Sequence, residues 1–133
     1  MDKNYYITTP IYYVNDKPHI GHAYTSIACD VLARFKRLDG YSVKFLTGTD
    51  EHGQKVEKAA KSQNKSPLEY ANFISKDFKS LTKTLNLSND DFIRTTEKRH
   101  ILAAQSLWSK LYENKHIYLD KYSGWYALRD EAF

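Results

Sequence analysis

Two adjoining segments organise this chain: Thr8-Thr9-Pro10-Ile11-Tyr12-Tyr13-Val14-Asn15 and, shortly after it, Pro18-His19-Ile20-Gly21-His22. The residues of Tyr5–Thr9 include the aromatic and β-branched types that favour a strand, and the proline that follows ends a strand's hydrogen bonding. A helix is predicted to begin near Gly21. The first turn of a helix has unpaired N–H groups and a partial positive charge, so this junction favours an anion such as phosphate.

The two histidines of the second segment are the first candidate site residues. His19 and His22 are three residues apart, so their imidazoles fall on one side of the first helical turn. Gly21 lies between them, and because it has no side chain a nucleotide can lie close to the backbone. Both imidazoles could then donate to one phosphate chain. Spacing alone leaves an alternative open, a pair of polar residues near a helix start without a ligand.

The composition excludes several classes of protein. With 133 residues, 41% hydrophobic and 27% charged, the chain has the size and balance of one ordinary α/β domain. It has no apolar run near the ~18 residues of a membrane span, and its N-terminal residues have no signal-peptide pattern. A single cysteine, Cys29, excludes an internal disulfide and a cysteine-rich zinc site, which favours a reducing cytoplasm. The net charge of +4 is spread over separate lysines, a pattern typical of solvated helix faces.

The chain continues as a βαβ unit. Gly21–Leu38 has helical periodicity, and Tyr41–Thr47 is predicted to be a second strand that Gly48–Gly53 follows. Since strands joined by a helix are parallel, the loops Pro10–His22 and Gly48–Gly53 are expected at the carboxyl ends of neighbouring strands, where open α/β sheets bind ligands. The apolar stripe of the helix, of the kind that amphipathic helices bury, consists of Ile27, Ala28, Val31, Leu32, Phe35 and Leu38.

Three later segments have recognisable local patterns. Ser66-Pro67-Leu68-Glu69 has the pattern of a capping box at the start of a helix. Asp91–Thr95 is predicted to be a third strand, and Thr95 or Thr96 is predicted to cap the helix after it. Aromatic runs on both sides of a glycine-containing turn predict a β-hairpin in His116–Phe133.

Four blocks in this order carry a resemblance to a known family. They are the two opening segments, then Phe45-Leu46-Thr47-Gly48-Thr49-Asp50-Glu51-His52-Gly53-Gln54 and Asp91-Phe92-Ile93-Arg94-Thr95-Thr96-Glu97. Over essentially its whole length the chain resembles bacterial methionyl-tRNA synthetases. The quartet His19–His22 looks like the first signature of the class I aminoacyl-tRNA synthetases.

The resemblance implies an α/β fold, the first half of a Rossmann-like class I synthetase catalytic domain. It implies three parallel strands in the order 3-2-1 with flanking helices over residues 1–115, and the start of the connective (hairpin) insertion over residues 116–133. The first strand would be central in the full protein and is expected to be an exposed edge here. The second catalytic half and the anticodon-binding domain are expected to be absent, so we expect the chain to be inactive alone.

The resemblance also implies a ligase of protein biosynthesis that activates methionine with ATP and transfers it to tRNA(Met). By this resemblance His19 and His22 are catalytic, and the ATP-binding residues are Asn15, His19, Gly21 and His22. The methionine-binding residues are Ile11, Tyr13 and Asp50, with His52 as a neighbour of the substrates.

Alternatives stay open at several of these positions. Asn15 could be a turn-forming residue, Tyr13 could pack in the core, and Asp50 could cap the helix after it. Two other functions compete with the ligase: a truncated, non-catalytic nucleotide-binding module, and a small nucleotidyltransferase. The second is disfavoured because the chain lacks that family's Phe-Asp-Pro approach to the histidines.

The resemblance also sets expectations for metals and partners. Magnesium is expected to arrive with ATP as substrate. Many relatives have Cys-x-x-Cys where this chain reads Tyr126-Ala127-Leu128-Arg129-Asp130, so no zinc is expected in this segment. The expected partners are methionine, ATP, tRNA(Met) and the missing C-terminal part of the synthetase, without a membrane. A metal site is not expected from the cluster His19, His22, Asp50 and His52.

Overall fold

The computed structural model describes residues 3–127 and 129–133. In this part of the chain, strands and helices follow in the order β1 (Asn4–Thr8), β2 (Tyr12–Tyr13), α1 (Ile20–Leu38), β3 (Ser42–Asp50), α2 (Gln54–Ser62), α3 (Pro67–Thr84), β4 (Asp91–Arg94) and α4 (Lys98–Glu113). None of the described helices is long and apolar enough to cross a membrane.

The sheet is parallel and has β3 at its centre. β1 pairs with Ser42–Leu46, β2 pairs with Thr49 and Asp50, and β4 pairs with Leu46–Thr49. The three strands predicted from the sequence therefore lie side by side in the predicted order. The short strand β2 was not predicted. It arises where the backbone passes Pro10, since Thr8 pairs with Leu46 but Tyr12 pairs with Thr49, one residue out of step.

The central strand is longer than predicted, because Gly48, Thr49 and Asp50 belong to β3 and not to the loop after it. Glycine and aspartate are depleted in strands, which hid this extension from the sequence pattern. Gly48 is required by close packing: a Cβ there would lie 2.0 Å from the carbonyl oxygen of Ile93 on β4. The carboxyl end of β3 is therefore Asp50, and only residues 51–53 form the loop.

Helix α1 packs on the sheet through its small and polar side, whereas the apolar stripe that the sequence predicts lies on its exposed side. Its buried residues are Ser26, Asp30 and Ala33. The opposite side is apolar, and within the described part of the chain it is exposed. We call this exposed set the α1 apolar face; its members include Ile20, Tyr24, Ile27, Val31, Leu32, Phe35 and Leu38.

The hydrophobic core lies beneath the junction of β2 and α1. It joins β2, α2 and α3, and Tyr13 and Phe92 pack against its margin. The predicted capping box at α3 is confirmed, with Glu69 N donating to Ser66 Oγ at 3.3 Å and Ser66 N donating to Glu69 Oε2 at 2.9 Å. The buried residues of this core are Tyr12, Val14, Val56, Ala60, Tyr70, Ala71, Ile74 and Phe78.

The chain divides into two compact units, Met1–Glu97 and Lys98–Phe133. The first contains the sheet and α1 to α3. The second contains α4, which has no buried residue. The predicted caps Thr95 and Thr96 were wrong, since α4 begins at Lys98 and both threonine hydroxyls bond to Glu51 instead.

The predicted β-hairpin is also not formed by the described residues after α4. They contain an isolated bridge between Ala127 and Ala132 and no strand. Leu119 and Trp125 are almost fully exposed, so the stretch lacks the apolar support that a two-stranded hairpin needs. Leu128, which belongs to both the predicted hairpin and the cysteine-free segment, lies outside the described residues.

Candidate active site

The N-terminus of α1 is closed by two imidazoles that cap each other's backbone. His19 is the N-cap residue, and its Nδ1 accepts a hydrogen bond from Gly21 N at 3.1 Å. His22 Nδ1 accepts from His19 N at 3.0 Å, and the two ring centroids are 3.9 Å apart. This is the geometry of a capping box, with histidines where serine and glutamate are usual. The candidate residues His19, Gly21 and His22 are thus brought together.

These hydrogen bonds determine the tautomer of both rings. A neutral imidazole has one N–H and one acceptor nitrogen, and here the acceptor is Nδ1 in His19 and in His22. The proton is therefore on Nε2, which makes each ring a donor at its outer edge. Burial, with a further effect of the nearby His19, lowers the pKa of His22 below its usual range and favours this neutral form.

Three residues not singled out by the sequence hold His22 in place. The rings of Tyr12 and Phe78 meet the His22 ring edge-on, at centroid distances of 4.8 and 5.1 Å. The Tyr12 hydroxyl donates to the His22 carbonyl oxygen at 3.3 Å and lies 2.8 Å from Ser26 Oγ. Since the tyrosine proton is directed at the carbonyl, the Ser26 hydroxyl donates to Tyr12. Tyr12 is buried between the exposed Ile11 and the half-buried Tyr13, a difference that becomes visible only in the structure.

Asn15 lies in the turn between β2 and α1, with its side chain exposed. Its carbonyl oxygen accepts a hydrogen bond of 2.9 Å from the hydroxyl of Tyr70, a buried residue of α3. Tyr70 thereby ties the turn to the core. Asn15 is thus a turn residue whose amide faces solvent near the junction, so the turn-forming interpretation is compatible with its predicted role at phosphate.

The residues predicted to bind methionine line the ends of β2 and β3. Tyr13 and Asp50 are direct cross-strand partners, and Val14 N donates to Asp50 O at 3.2 Å. Tyr13 is half-buried and packs partly against the core, whereas Ile11 is exposed. Asp50 does not cap α2, because the N-cap of that helix is Gly53, which has a φ of 113° and no side-chain cap. Its carboxylate is half-exposed at the strand end.

His52 follows directly after this strand end and is exposed. Its Nε2 lies 3.4 Å from the carbonyl oxygen of Thr95, at the end of β4. The structure therefore brings the candidates of β2, β3 and the following loop to one edge of the sheet, which is also the edge where α1 begins. Among residues 3–127 and 129–133, no group of three or more His, Cys, Asp or Glu side chains could hold a metal ion.

Comparison with known proteins shows which family has this sequence. The family described as tRNA synthetases class I (M) matches residues 5–133. This chain belongs to that family. The methionine–tRNA ligases of Rickettsia bellii and Bacillus subtilis are 62% and 54% identical to it over 133 and 132 residues, which is 100% and 99% of this chain. These residues are 26% and 20% of the two relatives, so the chain spans about a quarter or less of their length.

Solved structures of this class I family agree with the fold. The methionyl-tRNA synthetase of Mycobacterium tuberculosis bound by methionyl-adenylate superposes with a TM-score of 0.91 at 52% identity, covering 96% of this chain and 25% of that one. The predicted α/β fold, half of a Rossmann-like catalytic domain, is confirmed. The division at residue 115 and the roles of individual site residues stay predictions.

Proposed function

We propose that this chain supplies the ATP-phosphate site and the methionine-ammonium site of a methionine–tRNA ligase. The observation that carries the proposal is the pair of capping imidazoles, which presents two Nε2–H donors at the positive end of α1. Asp50 lies at the neighbouring strand end and can receive a cation. An anionic triphosphate beside an α-ammonium group matches this division of charge. The relatives, named as methionine–tRNA ligases, support the ligase over a non-catalytic module.

The chemistry requires positioning more than a covalent nucleophile. An oxygen of the methionine carboxylate attacks the α-phosphorus of ATP, the bond to the β-phosphate oxygen breaks, and pyrophosphate leaves with the electron pair. Negative charge then grows on the phosphate oxygens. Donors that are already oriented stabilise this charge without reorganising, which is the role we assign to His19 and His22. Asn15 completes the phosphate contacts, and Gly21, which has no side chain, lets the phosphates approach the backbone. Magnesium accompanies ATP.

The methionine site uses three groups with different chemistry. The carboxylate of Asp50 pairs with the substrate ammonium, a charge-assisted hydrogen bond. The half-buried ring of Tyr13 provides an aromatic surface for the thioether, since sulfur–aromatic contact adds to burial. Ile11 contributes through its backbone, and His52 lies next to the bound substrates.

The remaining steps belong to residues that these 133 do not include. We assign residues 1–115 to the first half of the catalytic domain and residues 116–133 to the start of the connective insertion. Transfer of the methionyl group to tRNA(Met), in the cytoplasm, then depends on the further length that the relatives have. On this proposal the 133 residues alone do not catalyse.

The test is a transplant enzyme, the Rickettsia bellii ligase with its matching residues replaced by this chain. Methionine-dependent ATP–pyrophosphate exchange is measured for the transplant enzyme and for His22→Ala. Removing one transition-state donor should reduce exchange by ~100-fold or more. His116→Ala, which removes an exposed histidine after α4, is the matched control and should leave exchange unchanged. Unchanged exchange in His22→Ala would remove the assigned role, and ATP binding without exchange in the transplant enzyme would favour the non-catalytic module.

A further inference from the structure

Directly after Asp50, the chain buries a second carboxylate. The side chain of Glu51 is fully buried, and Arg94 of β4 binds it with Nε at 2.7 Å from Oε1 and Nη2 at 2.9 Å from Oε2. The Thr49 hydroxyl donates to Oε1 at 2.7 Å, and the Thr96 hydroxyl donates to Oε2. Every oxygen of this carboxylate therefore has two donors, which is the condition for burying a charge.

The same network fixes backbone from three elements. Glu51 N donates to Thr95 Oγ1 at 2.9 Å, so the end of β3 is tied to the end of β4. Arg94 Nη2 also donates to Asn72 Oδ1 of α3 at 2.6 Å. The segment that leads from Asp50 to His52 is thus attached to β4 and, through Arg94, to α3. No residue of this network was among the candidate site residues drawn from the sequence, where Thr95 and Thr96 were predicted only as helix caps.

Asp50 and Glu51 are adjacent, so their side chains leave the extended backbone on opposite sides. Thr49 and Glu51 are two residues apart on one side, as their hydrogen bond shows, and both are buried. Asp50 is on the other side and is half-exposed. Because Arg94 neutralises Glu51 in a bidentate pair, Asp50 is the carboxylate at this strand end that stays half-exposed.

We propose that Glu51 and Arg94 are a positioning pair that orients the carboxylate of Asp50 toward the substrate ammonium. Because the two charges cancel each other, the strand end stays selective for a cation at Asp50. The proposal rests on the proposed function. If Glu51 lost its charge, the unpaired Arg94 would oppose a cation beside Asp50. If Arg94 lost its charge, Glu51 would be a buried anion without a counterion, and the strand end would rearrange. Removing both charges should therefore disturb methionine binding less than removing either.

The experiment is a double-mutant cycle in the transplant enzyme with Glu51→Gln, Arg94→Gln and the double variant. The Michaelis constants for methionine and for ATP, and kcat, are taken from pyrophosphate exchange. We expect each single variant to raise the methionine constant by about tenfold while the ATP constant stays within about twofold, and the double variant to recover most of the loss. Asp50→Asn is the positive reference for a selective methionine defect.

The matched control is Asp30→Asn, which neutralises another carboxylate that is buried and paired with an arginine, Arg34. It should lower the thermal midpoint without changing the ratio of the two Michaelis constants. If Glu51→Gln behaves like Asp30→Asn, or if the double variant is as impaired as the singles, the positioning role is overturned. An active transplant enzyme that loses exchange in His22→Ala would still uphold the ligase, so the two proposals fail separately.

A milder variant covers the case in which the charge variants do not fold. Thr96→Val removes one hydroxyl donor from Glu51 and leaves every charge in place. We expect a selective rise in the methionine constant of about threefold with kcat nearly unchanged, the size of one lost hydrogen bond. An equal rise in both constants, or no change in either, would overturn the positioning role.

Discussion

At the scale of single residues, the chain contains two capping boxes that are built from different side chains. At α3 the box is made by Ser66 and Glu69, and at α1 by His19 and His22. Serine and glutamate close a helix end and have no proton to exchange near neutral pH. Imidazoles close the end only while Nδ1 is unprotonated, and they keep an N–H donor at the outer edge. The use of histidine thus makes the helix end both capped and able to donate.

The protonation of His22 leads to a pH prediction. Burial lowers its folded-state pKa below the ordinary value of about 6.5, so its contribution to stability is complete above that pH and is lost as the pH falls through the folded pKa. Protonated Nδ1 cannot accept from His19 N. We therefore expect kcat/KM for ATP in the transplant enzyme to fall on the acid side with an apparent pKa below about 6.5.

The acid limb must be assigned to His22 and not to a histidine outside the site. His116→Gln removes an exposed histidine after α4, to which no role is assigned, and should leave the limb where it is. A limb with an apparent pKa above about 6.5 would contradict the neutral Nε2–H form.

The residues of the site were predictable to the extent that local spacing determines them. His19 and His22 are three residues apart at a helix start, and that is enough to place them together. The residues that hold them come from distant parts of the chain: Phe78 lies on α3, and Tyr70 reaches Asn15 from the same helix. Such contacts depend on tertiary packing, which no local pattern encodes.

At the scale of elements, α1 is attached to the loop before β4 by a charged network. Asp30 Oδ1 accepts from Ser88 N and Ser88 Oγ, both at 2.6 Å, and Oδ2 accepts from Arg34 at 2.7 Å. Arg37, about two turns after Asp30, donates to Ser88 O and to Asp90 Oδ2. Burial alone would raise the pKa of Asp30, but these hydrogen bonds from Ser88 and Arg34 lower it below its usual range.

This network predicts that Asp30→Asn destabilises the protein. Asparagine has one side-chain oxygen where aspartate has two, so a donor of Ser88 or Arg34 in this partly buried network loses its acceptor, at a cost of about 1–3 kcal/mol. Thermal unfolding of the transplant enzyme should show a lower midpoint. Because the pKa of Asp30 is lowered in the folded state, the difference should shrink as the pH falls through that pKa. Asp39→Asn is the control and should have little effect, because Asp39 is the exposed C-cap residue of α1 and its carboxylate lies 3.5 Å from Lys36 in a surface ion pair.

Periodicity predicted α1 correctly but not the surface that it faces. Apolar residues at helical spacing indicate one continuous side, and that side exists. The helix nevertheless contacts β3 and β1 through Ser26 and Ala33, since small residues let it lie close to the sheet. For β3, in contrast, local composition predicted too early a C-terminal end. Gly48 lies within the strand because the close approach of the Ile93 backbone leaves no space for a side chain there.

At the scale of the whole molecule, two surfaces are left uncovered among the described residues, the outer edge of β1 and the α1 apolar face. β1 pairs with β3 on one side, and no strand among residues 3–127 and 129–133 pairs with its other side. The α1 apolar face contains Val31 and Phe35, which are 59% and 57% exposed. Open strand edges and contiguous apolar patches both promote association.

We therefore expect the isolated 133-residue chain to self-associate or to be of low stability. Sedimentation velocity over a hundredfold range of concentration, about 1 to 100 μM, should show a rising average mass, since association of exposed apolar area is governed by mass action. The double variant Val31→Lys/Phe35→Lys should reduce association, because each lysine places a charge in the patch. Leu68→Lys changes an equally exposed apolar residue of α3, outside the α1 apolar face, and should associate as the parent does. A sharp monomeric melt that does not depend on concentration would contradict the prediction, and it would mean that the edge of β1 and the apolar side of α1 are stable in water without a covering surface.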